Sequence, residues 1–346
     1  MAIKRGVSLY SYQQAQFFGE MSLDDMCREL HENLQCDGIE IIGETTVKGY
    51  PFPSREFVAD WHAKMARYKL NPVGYDGALD VLRFRDHVMD YAETAEWIKI
   101  ELQLAHDLGF KHIRTMTGLP TEVTERCLDT CEKLGVKLAW EIHSPLCIRP
   151  NPSMPDMWVK NPGTKVFETL DFIKKTGTKM VGFLPDFGIF MKAPYISNVE
   201  AFIRKLPDRG LAAEIDAMYH EVPLAAFVST LTERFGDRVD HKAVQRLGGT
   251  SSAEPEDLEL ILPYVVSFHG KTHYMVEIPG RPGEFDDPST RYEEVFDVLK
   301  RNNWDGYICT EYEGQRAYQD LPRDQLMNEV EQVRRHHSMM KRLGAE

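Results

Sequence analysis

Short runs of β-branched and apolar residues alternate with helical patterns along the whole chain, and this alternation constrains the fold most strongly. Eight strand-then-helix units follow one another, with no flexible linker and no change of composition between them. Such units form parallel sheets, because each helix carries the chain back across the sheet before the next strand begins. The predicted strands are residues 5–12, 38–42, 72–77, 112–116, 136–143, 180–186, 264–273 and 306–312.

We therefore predict an α/β fold of the (β/α)8 TIM-barrel type. The predicted helices are residues 22–33, 54–68, 89–108, 121–134, 164–176, 291–302 and 323–343. The alternative is a doubly wound open sheet, which usually has a glycine-rich phosphate-binding turn after its first strand. That position reads Ser11-Tyr12-Gln13-Gln14 here, without glycine, so the sequence favours the barrel.

The length of the chain predicts insertions in the barrel. The chain has 346 residues, whereas a bare barrel needs about 250. We expect one domain, 1–346, with a helical insertion around 198–263. Three loops that follow strands are also enlarged, namely 144–160, 187–197 and 277–290. Such loops form the active face of a barrel, so their apolar and aromatic residues indicate either a substrate with an apolar part or a surface that another subunit covers.

Composition and charge exclude several classes of protein. A net charge of −13, without a run of basic residues, argues against a nucleic-acid-binding protein. The first residues lack the apolar core and the small-residue cleavage site of a secretory signal, and the longest apolar stretch, near 258–268, is too short to span a bilayer. Six cysteines without paired short spacings do not form a disulfide scaffold. We therefore expect a cytoplasmic protein that does not bind membranes.

The fifth predicted strand ends with two polar residues on one face. Because alternate residues of a strand point the same way, Glu141 and His143 share a face, and Trp140 and Ile142 share the other. The apolar pair suits the helix layer, so the polar pair faces the barrel interior. Burying two polar groups there requires a partner. A structural ion pair between Glu141 and His143 is the alternative to a functional role.

The next three strands end with similar groups. Asp186 ends strand six, His269, Lys271 and His273 share one face of strand seven, and Glu311 lies near the end of strand eight. Each is weak as an isolated signal, because a single aspartate at a strand end is more often a helix cap and a single histidine more often a core residue. Strands five to eight are neighbours in a barrel, however, so we expect these side chains to converge.

The converging set predicts one divalent metal. Glu141, Asp186, His269 and Glu311 offer three oxygen ligands and one nitrogen ligand. This mostly oxygen set favours Mn²⁺ or Mg²⁺, with zinc, cobalt or iron possible. His273 is the alternative nitrogen ligand, because it shares the face of His269.

Two further residues predict proton-transfer chemistry beside the metal. His143 lies two residues beyond a predicted ligand, and an imidazole suits a general base near neutral pH. Lys271 is predicted to hold a substrate oxygen or to stabilise an enolate; a salt bridge to a barrel carboxylate is the alternative. With His273, it forms the predicted substrate-binding set. The metal would act as a Lewis acid towards a carbonyl or a hydroxyl pair.

The four predicted ligands resemble the metal site of the xylose-isomerase-like barrel superfamily, which includes sugar-phosphate isomerase/epimerase-like proteins and ketose 3-epimerases. In that superfamily Glu, Asp, His and Glu from successive late strands hold the metal. In the epimerases the two ligand glutamates also exchange the proton, which implies that Glu141 and Glu311 form an acid–base pair here.

Three short segments resemble a narrower family, the alpha subunit of bacterial C-glycoside deglycosidases. They are Trp140-Glu141-Ile142-His143-Ser144-Pro145, Pro185-Asp186-Phe187-Gly188 and His269-Gly270-Lys271. The resemblance implies a lyase for 3-oxo-C-glycosides of plant phenolics that works with a small beta subunit. His143 would remove the proton at C2, and β-elimination would release the aromatic carbon from C1.

Two other functions stay open at this point. A carbohydrate isomerase or epimerase has the same fold and metal, and it would use two glutamates rather than His143. A barrel without catalytic activity that serves as a binding or scaffold subunit would retain no metal after purification.

Overall fold

Eight parallel strands form one sheet that closes into a barrel. The computed structural model describes residues 2–115, 119–149, 164–248 and 252–346. The strands are β1 (Lys4–Ser8), β2 (Gly38–Ile42), β3 (Asn71–Asp76), β4 (His112–Thr115), β5 (Lys137–Ile142), β6 (Val181–Pro185), β7 (Phe268–Thr272) and β8 (Tyr307–Tyr312). Neighbouring strands pair in the order β6-β5-β4-β3-β2-β1-β8-β7, and isolated parallel bridges next to β6 and β7, such as Asp186 with His269, close the barrel. The predicted barrel is thereby confirmed.

Helices follow the strands and cover the outside of the barrel. Ser54 caps the helix after β2 by accepting a hydrogen bond from the Phe57 N–H, and Gly135 ends the helix after β4 in a left-handed conformation. The α-helices outside the segment between β6 and β7 are Gln13–Phe17, Leu23–Arg28, Gly43–Thr46, Arg55–Tyr68, Tyr91–Asp107, Thr121–Leu134, Thr164–Thr176, Tyr292–Arg301 and Glu329–Arg342.

The first strand is shorter than predicted. It ends at Ser8, and Leu9–Tyr12 forms a 3-10 turn instead of continuing the strand to residue 12. The Ser11 hydroxyl donates to the Thr310 carbonyl at 3.0 Å and accepts from the Tyr312 N–H at 2.9 Å. The Ser11 side chain thus makes the hydrogen bonds to β8 that a continued strand would make with its backbone. The alternation of apolar and polar residues, from which the strand was predicted, does not distinguish these two cases.

Two other predicted boundaries were also wrong. Strand β7 begins at Phe268 rather than at residue 264, because Leu262–Tyr264 forms a 3-10 turn that contains a proline. The last helix begins at Glu329 rather than at residue 323, and Asn328 caps it by accepting from the Glu331 N–H. In both cases, turn-forming residues precede the regular element.

The segment between β6 and β7 is mainly helical, and its helices have an apolar cluster of their own. Val199, Ile215, Phe227 and Leu231 are completely or almost completely buried in that cluster. The helices are Ile196–Lys205, Arg209–Glu221, Phe227–Phe235 and His241–Gly248.

The enlarged loop after β7 contains a short hairpin. In the loop after β7, Val276–Glu277 pairs with Phe285–Asp286 as a short antiparallel hairpin. Most of the predicted loop 144–160 lies outside the described residues. That the whole chain is a single domain stays a prediction.

The surface carries exposed apolar side chains in one sector. All the large apolar side chains that are exposed among the described residues lie in the loops after β1, β2 and β3 or at the start of the helix after β3. They are Phe17, Phe18, Phe52, Val81, Leu82, Phe84, Val88 and Tyr91, and we call them the apolar rim. Across the described ranges, no helix combines the length and apolar character that crossing a bilayer requires.

Candidate metal centre and active site

The carboxyl ends of β5 to β8 bring four predicted side chains to one place. One ligand atom from each residue lies within 4.8 Å of those of the other three, and all four side chains are buried. The residues are Glu141 on β5, Asp186 directly after β6, His269 on β7 and Glu311 on β8.

The local structure explains why these side chains face inward. On β5, Trp140 and Ile142 pack into the apolar layer between sheet and helices, which directs Glu141 to the interior. Asp186 begins a 3-10 turn, and its Oδ1 accepts from the Gly188 N–H at 2.5 Å. The aspartate is therefore a cap and a member of the cluster at once, because its second oxygen faces the other residues.

His269 lies at the centre of the cluster, and its two ring nitrogens face different groups. Nδ1 is 3.0 Å from Glu141 Oε1 and 3.4 Å from Glu311 Oε2. Nε2 is 3.0 Å from Oε1 of Glu40, a residue of β2. Burial would lower the pKa of His269, but Glu40, Glu311 and Glu141 outweigh it and raise the pKa well above its usual value.

Lys271 forms ion pairs with carboxylates around the cluster. Its Nζ lies 2.9 Å from Asp186 Oδ2, 2.6 Å from Glu311 Oε2 and 3.0 Å from Glu313 Oε2. Burial would lower the pKa of Lys271, but these carboxylates raise it well above its usual value. The structure thus contains the salt bridges that were the alternative reading of this lysine, and the ammonium group stays charged.

The carboxylates of the cluster differ in their acidity. Burial opposes ionisation of Glu141, but Arg114 and His269 outweigh it and lower its pKa to about 2. Lys271 and His269 likewise hold the pKa of Glu311 well below its usual value against burial. Burial raises the pKa of Asp186 to about 6, although Lys271 opposes the shift. The two glutamates are therefore anionic at neutral pH.

His143 lies at the edge of the cluster and is partly exposed. Its Nδ1 is 2.6 Å from the Ser144 carbonyl oxygen, which can only accept a hydrogen bond, so Nδ1 carries the proton in the neutral ring. Its Nε2 lies 3.5 Å from Lys271 Nζ and 3.8 Å from Asp186 Oδ2, and 39% of the side chain is accessible. The lone pair of Nε2 therefore faces the site.

His273 lies apart from the four-residue set. Its ring stacks on Tyr195 with 3.6 Å between centroids, and its Nδ1 is 3.3 Å from Ser197 Oγ. The nearest carboxylate is Glu313, 3.9 Å from Nε2. Burial lowers the pKa of His273 to about 3, so the ring is neutral. This geometry favours His269 over His273 as the nitrogen ligand.

The structure adds three charged residues that the sequence reading missed. Glu40 on β2, Asp76 on β3 and Arg114 on β4 adjoin the cluster; Arg114 Nε is 3.0 Å from Asp76 Oδ1 and 3.6 Å from Glu141 Oε2. Their signal in the sequence was a charged residue inside an apolar strand, as in Gly38-Ile39-Glu40-Ile41-Ile42.

The donor set fits a divalent cation. Three carboxylates and one imidazole are ligands that Mn²⁺ and Mg²⁺ accept. Asp186 Oδ2 and Glu311 Oε2 belong to buried side chains, and both already face one cation, the Lys271 ammonium group, at 2.9 and 2.6 Å. Two anionic oxygens that face a common point are consistent with a cation site.

Comparison with known proteins gives relatives over most of the chain. No family model matches the sequence. The chain is 26% identical to a 3'-dehydrocarminate deglycosidase alpha subunit of a Microbacterium species, over 89% of this chain and 88% of that protein. It is also 26% identical to a C-glycoside deglycosidase alpha subunit of Arthrobacter globiformis, over 90% of this chain and 84% of that protein.

Solved structures show the same fold at lower identity. A sugar phosphate isomerase/epimerase from Parabacteroides distasonis superposes with a TM-score of 0.55 at 14% identity, over 99% of this chain and 94% of that one. An L-ribulose 3-epimerase superposes with a TM-score of 0.52 at 9% identity, over 99% and 94%. By fold the chain is a TIM barrel like these solved structures, and in sequence it is similar to proteins named alpha subunits of C-glycoside deglycosidases.

Proposed function

We propose that this protein is a metal-dependent carbon–carbon lyase that cleaves 3-oxo-C-glycosides of plant phenolics, as the catalytic alpha subunit of a two-subunit complex. One observation carries the proposal. Four potential ligands converge at the mouth of a barrel whose relatives, over about nine-tenths of the chain, are named deglycosidase alpha subunits.

Glu141, Asp186, His269 and Glu311 would hold one cation, most simply Mn²⁺ or Mg²⁺. When bound, the cation supplies positive charge beside the C3 carbonyl of the sugar, which makes the proton at C2 more acidic. The ligand set is anionic, so it would also attract the cation into the buried site.

His143 would act as the general base. Its Nδ1–H donates to the Ser144 carbonyl, so the lone pair is on Nε2, which faces Lys271 Nζ at 3.5 Å and would take the proton from C2. The electron pair of that C–H bond would first be delocalised into the C3 carbonyl as an enolate. It would then form the C1=C2 double bond as the bond from C1 to the aromatic carbon breaks. The aromatic carbon takes up one proton, so the products are a free phenol and an unsaturated 3-oxo sugar.

Lys271 and His273 would orient the substrate. The Lys271 ammonium group lies 3.5 Å from His143 Nε2, so its positive charge would stabilise an enolate oxygen that forms next to the base. His273 and Tyr195 form a stacked pair beside Glu313, and this pair would contribute the wall next to the sugar.

The partner would be a small beta subunit. The relatives carry the name alpha subunit, and the apolar rim supplies an exposed apolar surface of the kind that marks a protein interface. That the complex works in the cytoplasm stays a prediction.

The test is to incubate the purified chain, alone and with a candidate beta subunit, with 3-oxo-C-glucosides and with free ketoses. Release of a phenol only in the two-subunit sample would support the proposal. Interconversion of ketoses by the chain alone would overturn it in favour of an isomerase or epimerase.

The isomerase or epimerase is the second candidate because two glutamates flank His269. Glu141 Oε1 and Glu311 Oε2 lie 3.0 and 3.4 Å from its Nδ1, an arrangement that would let both exchange protons with a sugar. Replacement of His143 would then weaken turnover without abolishing it.

A scaffold subunit without activity would contain no metal, and elemental analysis of the purified protein tests that possibility.

A further inference from the structure

Glu40 is a buried carboxylate outside the proposed ligand set. It lies on β2, is completely inaccessible, and is 3.0 Å from His269 Nε2. Among the described residues neither of its oxygens has a hydrogen bond, and His269 Nε2 has none either, so the two groups face each other as a close ion pair. An isolated buried carboxylate is costly, so the ring of His269 is the partner that allows Glu40 to be there.

The backbone is shaped to admit this side chain. The pairing register of β2 with β3 shifts between Ile39 and Glu40, and such irregularities re-aim side chains. The facing residue on β3 is Gly74, where an added Cβ would lie 2.3 Å from Glu40 Oε2. A larger residue there would push the carboxylate away from His269.

Asp76 is the other carboxylate near this nitrogen, but its geometry gives it a different partner. It lies 3.8 Å from His269 Nε2 and 3.0 Å from Arg114 Nε. The closest carboxylate acceptor for the Nε2 proton is therefore Glu40, and Asp76 balances the arginine.

Glu40, Asp76 and His269 are also close enough to form a second three-residue cation site. A cation bound there through Nε2 would need His269 to ligate two cations and to lose both ring protons. It would also lie beside the Arg114 guanidinium, which is 3.0 Å from Asp76. Both conditions disfavour a second ion.

We propose that Glu40 is a positioning residue whose carboxylate, 3.0 Å from His269 Nε2, keeps the ring proton on that nitrogen and thereby makes the centre a one-metal site through Nδ1. Carboxylates that hold the far nitrogen of a metal-bound histidine act in this way in other proteins. The inference rests on the metal site proposed above.

The experiment is calorimetric titration of the metal-free protein with MnCl2, in wild type, Glu40→Ala and Glu40→Gln. We expect one site per wild-type chain and an affinity roughly 10- to 100-fold weaker in Glu40→Ala. Glu40→Gln keeps the volume facing Gly74 and one acceptor oxygen, so it should remain folded and recover part of the lost affinity.

Glu101→Gln is the matched control. Glu101 is also a buried carboxylate, but its partners are the hydroxyls of Tyr50 and Tyr75 rather than the cluster. Its replacement should lower the thermal unfolding temperature without changing the affinity for Mn²⁺. If Glu40 had a purely structural role, Mn²⁺ affinity would instead fall together with the unfolding temperature, in Glu101→Gln as in the Glu40 variants.

The outcomes separate the two proposals. Tight binding by wild type and unchanged affinity in both Glu40 variants would overturn the role of Glu40 alone. Two Mn²⁺ per wild-type chain, with one lost in Glu40→Ala, would overturn the one-metal site. Absence of Mn²⁺ binding by wild type would overturn the proposed metal function and the role of Glu40 with it.

Discussion

The half of the barrel formed by β5–β8 and the half formed by β1–β4 have the same layers but use charge differently. In the late half, carboxylates and imidazoles meet at the strand ends, and the partly exposed His143 lies between this cluster and solvent. In the early half, Glu40 and Asp76 are sealed inside, and the loops above expose the apolar rim. The late half therefore carries the proposed metal ligands and the proposed base. The early half carries the buried carboxylates behind His269 and the exposed apolar rim.

The charged groups of the two halves meet at His269, and also where Arg114 of β4 faces Glu141 of β5. His269 presents Nδ1 to the glutamates of the late half and Nε2 to Glu40 of the early half. If this division is correct, changes in the late half should remove metal or turnover, whereas changes in the early half should alter affinity, assembly or stability.

The largest effect is expected for Glu311→Gln in the late half. The substitution removes one anionic oxygen from the proposed ligand set, so Mn²⁺ affinity should fall by more than the roughly 10- to 100-fold expected for an outer partner such as Glu40. Calorimetry and elemental analysis measure this loss. A variant that binds Mn²⁺ as tightly as wild type would remove Glu311 from the metal site.

His143→Ala should separate catalysis from metal binding. Loss of a general base typically reduces turnover by roughly 10²- to 10⁴-fold, and the proposed ligands are left in place. Turnover of a 3-oxo-C-glucoside and Mn²⁺ affinity are measured on the same preparation. His62→Ala, which alters an exposed histidine on a helix, is the control and should keep full activity. Near-normal turnover of His143→Ala would favour the two-glutamate epimerase.

The apolar rim tests the early half. Leu82→Ser combined with Phe84→Ser removes two exposed apolar side chains after β3. If the rim contacts the beta subunit, the complex should weaken by at least tenfold, because buried apolar anchors contribute about 2 kcal/mol or more to binding. Biosensor measurements give the affinity. The control, Lys175→Ser, alters an exposed residue of the late half and should leave the affinity for the beta subunit unchanged. If the rim variant binds the beta subunit as tightly as this control does, the interface lies elsewhere.

The smallest effect concerns acid stability, where each half contributes a buried neutral histidine. Burial lowers the pKa of His112 on β4 to about 4 and that of His336 in the last helix to about 3. Between about pH 6.5 and these values the unfolded chain binds a proton that the folded chain does not, so stability falls as the pH falls. Each histidine should contribute about 1.4 kcal/mol per pH unit.

Replacement by glutamine should reduce that slope by one proton for each histidine. Denaturant unfolding of His112→Gln and His336→Gln at pH 7.0, 6.0 and 5.0 measures it. Slopes equal to that of wild type would mean that the two rings are protonated in the folded protein.

Much of the barrel could be read from the sequence because its signals are local. The strand Gly38–Ile42 and the helices Thr121–Leu134 and Thr164–Thr176 have the predicted boundaries. The inward direction of Glu141 followed from the alternation of side chains on β5. The end of β1 could not be read, because the hydroxyl of Ser11 bonds to Thr310, about three hundred residues away.

The candidate site was only partly predictable for the same reason. Chain order placed Glu141, Asp186, His269 and Glu311 on neighbouring strand ends, so their convergence followed from barrel topology. The ion pairs of Lys271 with three carboxylates, and the position of Glu40 behind His269, depend on strand register and on the glycine at position 74.

The sequence by itself determined the order of strands and helices and which residues of β5–β8 face the interior, because side-chain periodicity is a property of neighbouring residues. Only the tertiary structure decided which nitrogen of His269 faces which carboxylates, that His273 pairs with Tyr195 instead, and that Glu40 reaches the site from β2. Those contacts join residues far apart in the chain, and the closure of the sheet sets their distances.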